Sequence, residues 1–204
     1  MKKQRKQKLL PRHCHWCSKA IFHHCFCCFV EPILTLGYKP IFDPDENAEQ
    51  YYPPGAQHFK YTTHDMTVLD LFDPRAQLRY DLNDPVPESE HEAYQTVVDL
   101  GTVEHIFDTR MCFENCFRML ATGGSYILCT PVKGRFRHGL HTFSPELIDG
   151  ILRLNYFRII WRGFLEPRNS SELSSRDVGI FLVAQKTRPI GKLVLPYWRP
   201  AHAE

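Results

Sequence analysis

Between Thr96 and Leu147 the chain reads as strand, polar turn, helix, double-glycine turn, strand and polar loop without interruption. The apolar run Thr96-Val97-Val98-Asp99-Leu100 turns at Gly101-Thr102-Val103-Glu104-His105. A helix-patterned segment follows, with Met111, Cys112, Phe113, Cys116, Phe117 and Leu120 on one broad face. Gly123-Gly124 is expected to stop that helix before a second buried strand, Ser125-Tyr126-Ile127-Leu128-Cys129. Such a succession is half of an open α/β sheet. Ligands of open parallel sheets sit outside the carboxyl ends of the strands, so Gly101 to His105 and Pro131 to Phe143 should face one crevice.

The rest of the chain supplies the other strands. Ile33-Leu34-Thr35-Leu36-Gly37 reads as a first strand and its turn, Met66 to Phe72 as a second, and Leu78 to Asn83 as a third closed by the breakers Asn83-Asp84-Pro85-Val86-Pro87. Four prolines interrupt the connection from Tyr38 to Asp65, where only Asp45 to Tyr52 has a helical pattern. Glu88 to Tyr94 is a short acidic helix candidate. Ser144-Pro145-Glu146 opens a helix with an N-cap serine, a first-turn proline and an acid, and Leu147, Ile148, Ile151, Leu152 and Leu154 are expected to pack on the sheet. Phe157 to Phe164 and Val178 to Gln185 are two strands whose serine-rich connection suits an antiparallel pair.

With 204 residues, 43% hydrophobic and 24% charged, the chain has material for one ordinary domain and core. Three parts are distinguished: a basic Cys/His-rich leader over 1–30, which needs no place in the domain's sheet, a domain over 31–186, and a proline-rich tail over 187–204 lying over the surface or disordered. The leader holds seven lysines and arginines and no acid. After Val30 the chain carries 18 basic against 23 acidic side chains, a balance that argues against nucleic acid as the domain's partner. Five of the eight cysteines crowd the leader, and Cys112, Cys116 and Cys129 fall on apolar faces, as in a reducing cytoplasm. No apolar run has the length needed to span a membrane.

The segments VVDLGTVEHIFD (from Val97), FRMLATGGSYILCTP (from Phe117) and HGLHTFSPELI (from His138) together resemble class I S-adenosylmethionine-dependent methyltransferases. The resemblance is to small bacterial members, and covers about Glu31 to Lys186. It implies an α/β, Rossmann-like, mostly parallel seven-stranded sheet with a C-terminal antiparallel hairpin, S-adenosylmethionine as cofactor, and a small-molecule or sugar-like methyl acceptor. The chain departs from the family at its first turn. Where a glycine-rich motif lets bare backbone approach the cofactor, the sequence is Leu36-Gly37-Tyr38-Lys39-Pro40, a degenerate form with one glycine and an early proline.

The same resemblance places cofactor contacts at Gly37 and Gly101 for the methionine end, at Asp70 or Asp73 for the ribose, and at Asp81 for the adenine. Asp73-Pro74 and Asn83-Asp84-Pro85 are equally ordinary turn formers. Thr102 and Glu104 follow on the loop into the helix, where Thr102, Glu104 and Asp108 also have the chemistry of helix caps. Methyl transfer to a hydroxyl or amine needs donor and acceptor in line and a proton removed. His138, His141 and His105 are the candidate bases, the first two on a loop, Lys133 to His141, rich in cations and glycine. A solvated basic loop has the same composition.

Two readings from other classes stand beside the enzyme. One is a catalytically inactive methyltransferase-fold interaction domain that has lost cofactor binding with its first glycine turn. The other makes the leader a zinc-binding nucleic-acid module, since Cys14, Cys17, His23, His24, Cys25, Cys27 and Cys28 are ligand types for tetrahedral zinc. A single C-x-x-C without a second spaced pair weighs against it, and no metal ligand is assigned.

Overall fold

The computed structural model describes residues 30–37, 66–134, 137–165 and 177–197. The leader over 1–29, the helix candidate Asp45 to Tyr52 and the tail beyond Tyr197 lie outside these residues. Six strands form one sheet: β1 (Ile33–Leu36), β2 (Met66–Leu69), β3 (Tyr94–Leu100), β4 (Leu120–Lys133), β5 (Phe157–Leu165) and β6 (Val178–Lys186). Their order is β2-β1-β3-β4-β6-β5. The first three pairings are parallel, and β6 is antiparallel to both β4 and β5, as expected of a Rossmann-like sheet ending in an antiparallel hairpin.

The expected third strand is reduced to one parallel bridge, Leu69 to Leu78, so the described sheet has six strands and not seven. Leu78 N–H donates to the Val68 carbonyl, and Asp70 N–H donates to the Leu78 carbonyl. The pairing goes no further because Asp81 Oδ1 accepts from both the backbone and side chain of Asn83, turning the chain locally.

Alternation along the strands sorts the core onto two faces. Leu34, Val97, Tyr126, Leu128 and Leu182 face helices α1 (Thr109–Met119) and α2 (Pro145–Leu154). Ile33, Val98, Ile127, Phe181 and Val183 form the opposite face. Asp108 caps α1 by accepting from Met111 N at 2.9 Å. The buried face of α1 carries Cys112, Phe113, Cys116 and Phe117, with the Phe117 and Phe157 rings 4.3 Å apart. Truncating Phe117 to alanine would cost about 3–5 kcal/mol by opening a cavity there.

The double glycine does not end α1. The strand begins directly at Leu120, and Gly123 (φ 88°) and Gly124 lie within it, opposite the irregularity between Tyr94 and Thr96. A side chain on Gly124 would meet the Gln95 carbonyl at 2.7 Å, so Gly124 serves close strand approach, while Gly123 supplies the positive φ. In α2, Ser144 Oγ accepts from Leu147 N, and Ile148, Ile151 and Leu152 are buried. Leu147 and Leu154, expected to pack inward, flank this face and stay exposed.

After β6 the chain runs without helix or strand across α1 and α2. Leu193 is buried there, its N–H donating to Glu114 Oε2, while Asn155 accepts from Val194 N and donates back to its carbonyl.

Candidate active site

Every loop leaving the carboxyl end of β1 to β4 carries sequence-selected residues, which the parallel strand order brings to one side of the sheet. Gly37 follows β1 with φ 74°, and Gly101 follows β3 with φ 88°, a region that side chains adopt only with strain. These two turns border one another because β1 pairs with β3, Leu36 standing opposite Asp99.

Asp99 was not singled out in the sequence, yet it organises the turn. It is fully buried; one carboxylate oxygen accepts from Thr102 N at 2.8 Å and the other from the Tyr126 hydroxyl at 3.3 Å. Burial first, then the Asp99 charge, pushes the Tyr126 phenol well above its ordinary value, so it stays protonated and donates. The available signal was an acid inside an apolar strand run. Thr102 does not cap the following turn, Val103–His105, with its side chain; its hydroxyl donates to the Leu36 carbonyl at 3.0 Å.

Glu104 is buried and points toward the β4 loop. Its Oε2 accepts from Thr130 Oγ1 at 3.0 Å, and its Oε1 lies 3.6 Å from His138 Nε2, an ion-pair distance when the imidazole is protonated. Its backbone carbonyl accepts from Leu140 N and His141 N. Gly139 permits this approach, since a Cβ there would sit 2.9 Å from that carbonyl oxygen. His105 meets His138 edge to face at 5.0 Å between ring centroids. Glu104, His105 and His138 thus place one ligand atom each within 4.8 Å of one another. One carboxylate and two imidazoles can hold a divalent cation, or work as an imidazole base oriented by an acid.

The remaining candidates are more locally engaged. Asp70 Oδ1 accepts from Phe72 N and Asp73 N, so it shapes its own turn. Both oxygens of Asp73 accept from the Arg75 guanidinium, and these bonds hold its carboxyl below the usual carboxylate range. Asp81 binds Asn83, whose amide oxygen accepts from Asp108 N at the start of α1. His141 stacks on Phe143, and its Nε2 is buried without a hydrogen-bond partner among the described residues. Phe72, Phe107 and Leu140, one on each of three loops, stand exposed on this side of the molecule.

No family model matches the chain. Its curated relatives include the mitochondrial ubiquinone biosynthesis O-methyltransferases of Mus musculus, 29% identical over 115 residues (56% of this chain, 30% of that protein), and Bos taurus, 28% identical over 174 residues (82% and 42%). The chain therefore spans less than half the length of either relative. Similar solved structures include the [4+2]-cyclase SpnF, with a TM-score of 0.53 at 13% identity over 76% of this chain and 74% of that one. The Burkholderia thailandensis 1,6-didemethyltoxoflavin-N1-methyltransferase, solved with 1,6-didemethyltoxoflavin and S-adenosylhomocysteine, has a TM-score of 0.52 at 12% identity over 76% and 71%. The fold is that of the class I S-adenosylmethionine-dependent methyltransferases.

Proposed function

We propose that this chain, with its class I methyltransferase fold, transfers the methyl group of S-adenosylmethionine to an oxygen of a small-molecule or sugar-like acceptor. The observation that carries the reading is Glu104, whose position after the Gly101 turn aims its buried carboxylate at His138 on the neighbouring strand's loop. It joins a backbone turn suited to a cofactor with a base suited to an acceptor. The names of the relatives support oxygen as the acceptor atom.

In this reading the methionine end of the cofactor lies against Gly37 and Gly101, with Thr102 at the turn, and Asp70, Asp73 and Asp81 line the adenosine side. The acceptor lies over His138 to Phe143. When bound, S-adenosylmethionine supplies the electrophilic methyl carbon. His138 takes the acceptor hydroxyl proton on Nδ1, while Glu104, facing Nε2, holds the ring and stabilises the imidazolium formed. His141 and His105 are the other imidazoles of the loop pair. Exposed Phe107 and Leu140 offer apolar contact to the acceptor's remainder. The cysteines Cys112, Cys116 and Cys129 fit a reducing, cytoplasmic setting, and no described helix is long and apolar enough to cross a membrane.

The alternative is a catalytically inactive interaction domain, since one fold can host unrelated functions. Calorimetric titration of the full chain with S-adenosylmethionine and S-adenosylhomocysteine separates them. Saturable binding of both is expected; no heat at millimolar ligand would leave an inactive interaction domain.

A further inference from the structure

The Leu36–Gly37 peptide is gripped from both sides. Its N–H donates to the Leu69 carbonyl at 2.7 Å on the β2 side, a continuation of the parallel ladder. Its carbonyl accepts from the Thr102 hydroxyl at 3.0 Å on the β3 side, where strand pairing has ended and a side chain takes over. Thr102 is itself fixed, because its N–H is bound by Asp99, whose other oxygen is bound by Tyr126. Its β-branched side chain has few rotamers through which to release the carbonyl. The two turns with left-handed glycines are therefore tied through one hydroxyl, from residues 66 positions apart.

A turn with several glycines can settle its backbone around a ligand. This chain has one glycine at that turn, so the peptide before Gly37 must already point correctly. We propose that Thr102 is a positioning residue: by holding the Leu36–Gly37 peptide it sets how the first turn meets the methionine end of the cofactor, replacing the glycines that turn lacks. The proposal rests on the methyltransferase reading. It gives Thr102 a role exerted through backbone and not by contact with the ligand.

Calorimetric titration of S-adenosylhomocysteine into the full chain tests it with a matched pair of variants. Thr102→Val keeps shape and removes the donor; Thr122→Val removes a comparable hydroxyl bond, to Glu92, at the opposite end of the sheet. Thr102→Val should weaken binding about five- to tenfold, the scale of one hydrogen bond, with Thr102→Ser restoring it to within about twofold. Thr122→Val should leave affinity unchanged. A role confined to stability would lower the melting temperature of Thr102→Val and leave the folded protein's affinity at the wild-type value, which overturns the proposal. Should the valine variant not fold, Thr102→Ala removes the hydroxyl without setting a methyl group against the carbonyl, and the same two outcomes apply. A wild-type chain that binds no S-adenosylhomocysteine would sink both this proposal and the methyltransferase reading, whereas a binding wild type with an unaffected Thr102→Val sinks only this one.

Discussion

At the amino ends of the parallel strands, the buried Lys186 ammonium donates to the Phe117 and Leu120 carbonyls, at 2.8 and 2.6 Å, and to Glu92 Oε1 at 3.3 Å. At the carboxyl ends, the buried Glu104 carboxylate has one oxygen bound to Thr130 and the other facing an exposed histidine across 3.6 Å. Both charges are buried, but they are partnered differently. Lys186 closes the last turn of α1 against the sheet, where orphan carbonyls need donors. Glu104 leaves an oxygen directed at the exposed imidazole of His138. A buried charge tied to backbone makes structure; in the proposed reading, one aimed at an exposed imidazole is available for chemistry.

This contrast is broken most severely if changes at the carboxyl end fail to separate rate from stability. His138→Ala should lower methyl transfer about a hundredfold to ten-thousandfold while leaving cofactor affinity and melting temperature near wild type. Turnover against pH, with His141→Ala as the control, checks it. Wild-type turnover in the His138 variant would move the search for a base to His141 or His105.

Lys186→Met tests the other end. It strips the donor from two buried carbonyls, and should lower unfolding free energy by about 2–5 kcal/mol in urea titration. The folded variant's affinity for S-adenosylhomocysteine should not change. A large affinity loss would mean that the two ends are coupled.

Gly101→Val sharpens the boundary between structure and site. Its φ of 88° disfavours valine, and a Cβ would stand 3.0 Å from Glu104 Oε1. Strain should cost about 1–3 kcal/mol in stability, and cofactor affinity should fall by more than about tenfold. Equal affinity in a folded variant would remove Gly101 from the site.

The smallest effect is expected from acid. Bonds first from Thr122 and then Lys186 lower the Glu92 carboxyl from its ordinary 4.5. A depressed carboxyl contributes stability that is complete above its unfolded value and fades as pH falls through the folded one. The stability gap between wild type and Glu92→Gln should therefore be widest near neutral pH and narrow as pH falls below the ordinary 4.5. A gap that does not change across this range would show that Glu92 contributes nothing through its charge.

Much of the fold was legible because its signals are local. Ser144-Pro145 announced α2, the run from Thr96 to Leu100 announced β3, and the connection before Val178 marked an antiparallel pair. The misreadings share a cause: each depended on a neighbour that sequence does not show. Gly123-Gly124 looked like a helix stop, but it lies inside β4, where the Gln95 carbonyl makes Gly124 a point of close strand approach. Leu78 to Asn83 had strand character, but the Asp81 turn leaves it a single bridge. Asp99 passed as one polar residue in an apolar strand, although Thr102 N and the Tyr126 hydroxyl meet on it.

The sequence by itself determined the order of elements, the caps of both helices and the presence of glycine where β1 and β3 turn, because periodicity, capping and backbone freedom are properties of a few adjacent residues. Only the tertiary structure decided which groups meet. Strand order and register set Leu36 beside Asp99, within reach of Thr102, bring Glu104 to His138, and carry Lys186 to the end of α1. A hydrogen bond or ion pair depends on tenths of an ångström between groups far apart in the chain, and pairing across a sheet fixes such distances.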